Sequence, residues 1–135
     1  MPARYLLDTN IVSYLLKGQM PASKLRYDEE DADSIAISSI TEAEVFYGVE
    51  NRPGAVRLRN AAESFFAAAT VLCWDSAAAR AYGQLRADQE RKGRPLSVED
   101  LMIAAHALAL GLTLVTHDQV FSFVNGLKTE DWTVA

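Results

Sequence analysis

Short apolar runs alternate along this chain with longer segments of helical pattern, and this alternation restricts its fold more than any other feature. The apolar runs show no clean change between apolar and polar positions, which indicates strands buried on both faces. Strands that alternate with helices favour a parallel sheet covered on both sides. The sequence therefore predicts the α/β class, with a central parallel sheet covered by helices on both faces. The predicted strands span residues 4–8, 34–38, 69–73, 112–116 and 131–134, and the predicted helices span residues 10–17, 20–28, 39–50, 54–68, 76–93, 98–110 and 118–124.

Length and composition suit one globular domain over residues 1–135, since half of the 135 residues are hydrophobic. No apolar run is long enough to cross a bilayer, and the first residues lack the order of a signal peptide. The single cysteine, Cys73, cannot form an internal disulfide, and its apolar neighbours predict a small buried side chain. These features favour a cytoplasmic protein without a membrane partner.

The charge distribution bears on the choice of partner. A net charge of −5 argues mildly against nucleic acid. Residues 52–94, however, contain eight basic and four acidic residues, a net charge of +4. Either a basic surface beside an acidic pocket or scattered surface charge fits this pattern. The basic stretch within residues 86–94 is likewise either a solvated helix end or a guide for phosphate groups.

Four acidic residues lie where acids are unexpected, beside apolar sequence and near the ends of predicted elements: Asp8, Glu44, Asp100 and Asp118. A carboxylate that close to a core is costly unless it is paired, and a divalent metal is a usual partner. Asp8 and Asp118 follow predicted strands, and ligands of parallel sheets bind outside the carboxyl ends of strands. The four acids together predict one metal-binding pocket and phosphoryl chemistry.

Each acid also has a purely structural interpretation. Asp8 and Asp118 can cap the helices that follow them. Asp100 lies in a first helical turn, where the helix dipole favours a negative charge. Glu44 and Glu42 are about 200° apart around their helix, so only one of them can face a given site. Glu44 is favoured because Gly48, one turn later, leaves space beside it, although periodicity alone does not decide between the two.

The two histidines carry weaker signals. His106 lies in an apolar helix, which favours a packed or surface side chain over a ligand. His117 precedes Asp118 and either contacts substrate or has no role.

Four motifs occur in order: LLDTN at residues 6–10, SSITEAE at 38–44 followed by YGV at 47–49, DLMIAAHA at 100–107, and LVTHD at 114–118. With the ending FVNGL at 123–127 and EDW at 130–132, the chain resembles PIN-domain ribonucleases and, among them, the VapC-type toxins of bacterial toxin–antitoxin systems. The resemblance covers essentially the whole chain. His117 departs from the family, in which a short polar residue is commoner.

The resemblance implies a PIN-like, Rossmann-like fold, a three-layer α/β/α sandwich with a central parallel sheet. It also implies an endoribonuclease that requires Mg²⁺ or Mn²⁺ and hydrolyses RNA, often a structured RNA such as tRNA. It carries over Asp8, Glu44, Asp100 and Asp118 as catalytic and metal-binding residues. It also places Thr9, Asn10 and Thr116 at positions that support the site through hydrogen bonds.

The resemblance further implies a cognate antitoxin, whose tail would occupy the acidic pocket, and a homodimer. The competing hypothesis is a non-catalytic RNA-binding or regulatory module of the same fold. A receiver domain or a haloacid-dehalogenase-like phosphatase fits poorly, because Asp8 is single and Asn10 stands where such a phosphatase needs a second aspartate.

Overall fold

A five-stranded, wholly parallel sheet forms the centre of the molecule in the computed structural model, which describes residues 2–94 and 96–134. The strands are β1 Tyr5–Leu7, β2 Ile35–Ser38, β3 Val71–Leu72, β4 Thr113–Val115 and β5 Thr129–Glu130. Their order across the sheet is β3-β2-β1-β4-β5. β1 pairs with β2 on one side and with β4 on the other, so the chain adds strands first on one side of β1 and then on the other. This is the position at which parallel sheets bind ligands.

In the described part of the chain, six α-helices connect and cover the strands: α1 Thr9–Lys17, α2 Pro21–Glu29, α3 Ser39–Glu50, α4 Val56–Ala68, α5 Ser76–Arg91 and α6 Val98–Leu110. Short 3₁₀ helices occupy Ala32–Ser34 and Gln119–Phe123. Within the described ranges, no helix combines the length and apolar character that a bilayer crossing requires. Pro95, which the sequence predicts to mark a turn or a helix start, lies outside these ranges.

Two hydrophobic cores lie on opposite faces of the sheet, as alternation along β1 shows. Tyr5 and Leu7 belong to a core formed with α1, α3 and α4, whereas Leu6 belongs to a core formed with α5 and α6. Successive side chains of a strand point to opposite faces, so a strand covered on both sides must be apolar throughout. The three-layer α/β/α sandwich predicted from the sequence is thereby confirmed.

The last strand was predicted four residues long at 131–134, which is wrong: β5 is Thr129–Glu130, and a turn follows it. Trp132 packs edge-on against Tyr5 at 5.1 Å between ring centroids, and its Nε1 donates to Glu130 Oε1 at 3.0 Å. Asp131 Oδ1 accepts from the Thr133 backbone N–H at 2.9 Å. A turn at Trp132 and Thr133 accompanies these contacts, so the chain leaves the sheet after Glu130.

The helix predicted at residues 118–124 is a 3₁₀ helix, Gln119–Phe123. Its N-cap Asp118 accepts from the N–H of Val120, only two residues later, at 3.0 Å.

Cys73 is exposed, so the prediction of a buried side chain is wrong. It follows β3, an edge strand of two residues that leaves it beyond the sheet. The next residue, Trp74, is partly buried. Its ring packs edge-on against Tyr82 at 6.0 Å between ring centroids, and its Nε1 donates to the carbonyl of Met102 at 2.8 Å.

Candidate active site

The predicted acidic residues lie at the carboxyl edge of the sheet, around the β1–β4 pair. Asp8 directly follows β1, and Asp118 lies just beyond β4. Asp100 is in the first turn of α6, and Glu44 is in the middle of α3. The charges of Asp100 and Asp118 raise the pKa of Asp8, and those of Asp118 and Glu99 raise the pKa of Asp100. The acids from four separate parts of the chain therefore share one electrostatic environment.

Asp8 is the most buried of the four, with 4% of its surface exposed. It is the N-cap of α1, and its Oδ1 accepts from the Ile11 N–H at 2.9 Å. Burial raises the pKa of Asp8 to about 6, and repulsion by Asp100 and Asp118 adds to the rise. Hydrogen bonds from the Thr116 hydroxyl and from Ile11 partly offset it. Asp8 thus caps a helix and also carries a destabilised charge, so the capping interpretation does not exclude a further role.

Thr116 links two of the acids. Its side chain is buried and hydrogen-bonds to Asp8, while its Oγ1 accepts from the Asp118 N–H at 3.0 Å. Asp118 Oδ1 caps the following 3₁₀ helix through Val120. Thr116, the residue after β4, therefore holds the Asp8 carboxylate and the Asp118 backbone relative to the sheet.

Glu44 rather than Glu42 faces the other acids. Thr9 Oγ1 donates to Glu44 Oε1 at 2.6 Å, and Thr41 Oγ1 lies 3.3 Å from the same hydroxyl. Burial raises the pKa of Glu44, the Thr9 hydrogen bond lowers it, and the charges of Glu99 and Asp100 raise it. The choice that helical periodicity left open is thus made by a contact across 35 residues of sequence.

Asp100 is held by the cap of α6. Ser97 is the N-cap, and its Oγ accepts from the Asp100 N–H at 3.1 Å. Burial raises the pKa of Asp100, and the charges of Asp118 and Glu99 raise it further, against a hydrogen bond with Ser97.

Sequence reasoning missed Glu99 as a member of this group. Its charge acts on both Glu44 and Asp100, so the cluster contains five acids. The only signal in the sequence was its position next to Asp100 in the first turn of a helix.

The residues predicted to support the site differ in their contacts. Thr9 and Thr116 hydrogen-bond to acids of the cluster. Asn10 instead lines a cavity beside Glu44, and its side chain makes no hydrogen bond with any residue in the described part of the chain.

The donor set of this cluster fits a hard divalent cation. All of its groups are carboxylates, and within residues 2–94 and 96–134 none of the four predicted acids forms a salt bridge. No three acidic, histidine or cysteine side chains among those residues converge closely enough to enclose a metal ion by themselves. Magnesium usually binds through one or two carboxylates and several waters, so it does not require such a cage.

The two histidines lie in different settings. His106 is 1% exposed, and its Nδ1 lies 2.9 Å from Oγ of Ser38, the N-cap of α3. Burial lowers the pKa of His106, which suits a neutral packed ring, as predicted. His117 is exposed beside Asp118, and its Nδ1 lies 2.9 Å from Asp131 Oδ2 and 3.0 Å from Thr133 Oγ1.

The basic stretch at residues 86–94 is largely occupied by local contacts. Arg86 pairs with Glu90 at 3.1 Å, and Lys92 pairs with Asp88 at 2.9 Å. The guanidinium of Arg94 stacks over the Phe123 ring at 5.0 Å. These contacts favour a solvated helix end over a guide for phosphate groups.

Comparison with known proteins extends these observations. The family model described as "PIN domain" matches residues 5–127. A "tRNA(fMet)-specific endonuclease VapC" from Shigella flexneri is 40% identical over 130 residues, which cover 96% of this chain and 98% of that protein. A chain in the structure of DNA-bound VapBC from Salmonella typhimurium is 35% identical, with a TM-score of 0.90 and coverage of 96% and 98%.

A more distant structure, described as a member of the VapBC family of toxin–antitoxin systems, VapBC-5 from Mycobacterium tuberculosis, is 26% identical with a TM-score of 0.68. The match covers 96% of this chain and 98% of the chain in that structure. The resemblance inferred from the four motifs is therefore confirmed. The chain belongs to the PIN domain family and, by similarity along nearly its whole length, to the VapC group within it.

Proposed function

We propose that this chain is a metal-dependent endoribonuclease and the toxin of a toxin–antitoxin pair acting in the cytoplasm. The observation that carries the proposal is the group of unpaired carboxylates at the carboxyl edge of the sheet, three of which have raised pKa values. Such groups are expected where a protein holds a cation and performs hydrolysis. The similarity to VapC ribonucleases supports the same activity.

The proposed division of labour follows from the contacts of each acid. Asp8 and Asp100 would bind Mg²⁺ or Mn²⁺ directly, Asp118 would bind a second ion or orient water, and Glu44 would act through water. A bound ion of this kind lowers the pKa of water and offsets charge on the scissile phosphate. Thr116 and Ile11 hold the Asp8 carboxylate in place, so its orientation is set before substrate arrives.

Glu44 is suited to handle a proton of the attacking water. Thr9 occupies its Oε1 as a hydrogen-bond donor, which fixes the side chain and leaves Oε2 for water. Its raised pKa brings it closer to the range in which a carboxylate exchanges protons near neutrality.

For the substrate we propose tRNA, because a relative sharing 40% identity is named as specific for tRNA(fMet). For the partner we propose a cognate antitoxin, since similar chains occur in VapBC structures described as toxin–antitoxin systems. The homodimer implied by the family is retained as a proposal. An antitoxin tail that brought a cation to the acids would relieve the repulsion among them.

The test is cleavage of total cellular RNA and of purified initiator tRNA by the isolated chain, with Mg²⁺, with Mn²⁺ and with a chelator. A discrete cut that needs the metal and is lost in Asp100→Asn is the expected result. Glu44→Gln should also lose the cut. Its matched control is Glu42→Gln, which removes an equal charge from the same helix two residues away and should still cut. RNA binding without any cut, by a folded chain supplied with either metal, would favour the non-catalytic module instead.

A further inference from the structure

A cavity of about 180 Å³ adjoins the acidic cluster on the side of Glu44. Helices α1 and α3 form most of its wall, and we call it the α1–α3 groove. Glu44 and Thr9 line the end next to the acids, and Lys17 and Arg52 also line it. The groove therefore shares the Thr9–Glu44 hydrogen bond with the candidate active site.

The two cations of the groove are not engaged by acids. Neither Lys17 nor Arg52 forms a salt bridge with the residues that the structure describes. Arg59, close by in sequence, is paired with Glu50 at 3.1 Å. Unpaired cations next to a cluster of five acids are suited to hold an anion that the acids alone would repel.

The remaining lining is suited to a nucleotide. Asn10 and Ser13 supply hydrogen-bonding side chains, while Leu16, Val45 and Leu58 supply apolar surface. Phosphates take cations and polar donors, and sugars and bases take apolar contact. The groove offers both kinds of surface side by side.

Gly48 keeps the groove open. It lines the cavity, and a Cβ added at this position would meet no atom within 4 Å. Glycine inside a helix is less favourable than alanine, and α3 runs on through Glu50. Neither a positive φ nor close packing requires glycine here, so open space is the feature it provides.

We propose that the α1–α3 groove is an RNA subsite for the nucleotide next to the scissile phosphate, with a flanking phosphate on Lys17 and Arg52. This inference rests on the proposed ribonuclease function. It sets the path of the RNA strand, which leaves the acids past Glu44 and Gly48 and follows the end of α1. Arg86 and Lys92, which are paired with acids, take no part in this path.

The experiment measures RNA binding separately from cleavage. A labelled short single-stranded RNA of mixed sequence is titrated with the Asp100→Asn chain in chelator, by fluorescence anisotropy at several salt concentrations. Lys17→Ala and Arg52→Ala should each weaken binding and reduce the slope of log affinity against log salt by about 0.7, the value for one lost phosphate contact on a single strand. Arg57→Ala is the matched control, because Arg57 is exposed nearby but does not line the groove.

Gly48→Leu provides a test that loss of folding cannot imitate. Leucine favours helix, so we expect this variant to unfold at or above the temperature of its parent while binding RNA more weakly. Unchanged RNA affinity and salt slope in Lys17→Ala, Arg52→Ala and Gly48→Leu would overturn the proposal and would favour a protein segment as the occupant of the groove. Absence of RNA binding by the Asp100→Asn parent would also overturn it. If the groove variants lower the salt slope but the wild type does not cut RNA, the RNA subsite is supported and the proposed nuclease function is refuted. If the wild type cuts RNA but the variants leave the salt slope unchanged, the nuclease function is supported and the subsite is refuted.

Discussion

The hydroxyl of Thr9 donates to Glu44 Oε1 at 2.6 Å and joins the first turn of α1 to the middle of α3. Since Thr9 directly follows Asp8, the N-cap of α1, this bond fixes Glu44 relative to the most buried acid of the cluster. The position of one proposed catalytic group thus depends on a neutral hydroxyl from another element.

Replacement of Thr9 by valine should lower the rate of RNA cleavage roughly tenfold or more. A hydrogen bond to a charged group contributes about 1.5–3 kcal/mol, and about 1.4 kcal/mol corresponds to a factor of ten. Thr9→Ser retains the hydroxyl and should keep most of the activity. In the metal-free chain, the pKa of Glu44 should rise in Thr9→Val, because the hydrogen bond from Thr9 lowers it. An NMR titration of Glu44 measures this shift, and an unchanged pKa would contradict the expectation.

Replacement of Asp8 by asparagine should stabilise the metal-free protein at alkaline pH. Burial raises the pKa of Asp8 from 3.8 to about 6, so between these values the folded chain holds a proton that the unfolded chain has lost. The stability contributed by Asp8 is therefore full below about pH 4 and falls as the pH rises to 6, by an amount on the order of 3 kcal/mol. Asparagine keeps the acceptor for the Ile11 N–H and removes this loss.

Urea denaturation in chelator at pH 4 and pH 8 measures this difference. We expect wild type and Asp8→Asn to differ little at pH 4 and the variant to be more stable at pH 8. Added Mg²⁺ or Mn²⁺ should then stabilise the wild type more than the variant, since only the wild type keeps the full site. Equal stability of wild type and Asp8→Asn at pH 8 without metal would show that the charge on Asp8 does not destabilise the folded protein.

His106 should make the stability of the fold decrease as the pH falls, the opposite of the effect expected for Asp8. Its folded pKa lies below its ordinary value of 6.5 because the ring is buried. The stability it contributes is present above pH 6.5 and is lost as the pH falls towards the folded pKa, since only the unfolded chain takes up the proton. His106→Gln should make stability depend less on pH in this range. Thermal unfolding of both proteins between pH 5 and pH 7.5 measures this dependence. A curve of the same shape in both proteins would exclude His106 as its source.

Trp132 should anchor the end of the chain to the sheet. It is 2% exposed, contacts Tyr5, and lies under the guanidinium of Arg26 at 4.9 Å. We expect Trp132→Ala to lower the free energy of unfolding by about 3–5 kcal/mol, the range for loss of a buried aromatic side chain. Trp132→Phe retains the packing but loses the hydrogen bond to Glu130, so it should cost much less. Equal losses in the two variants would assign the effect to the hydrogen bond rather than to packing.

The sequence by itself determined the layered α/β fold, because hydrophobic periodicity and the alternation of strands and helices are local properties of the chain. It also indicated that Asp8 and Asp118 belong at one edge, since the carboxyl ends of parallel strands meet there.

Tertiary structure decided the features that depend on contacts between distant residues. Glu44 rather than Glu42 faces the cluster because Thr9 reaches it from another helix. Glu99 joins because the first turn of α6 brings its charge close to Glu44 in α3. Cys73 is exposed because its strand ends early at the edge of the sheet. The α1–α3 groove exists only once those helices pack, because its walls come from parts of the chain that no local pattern connects.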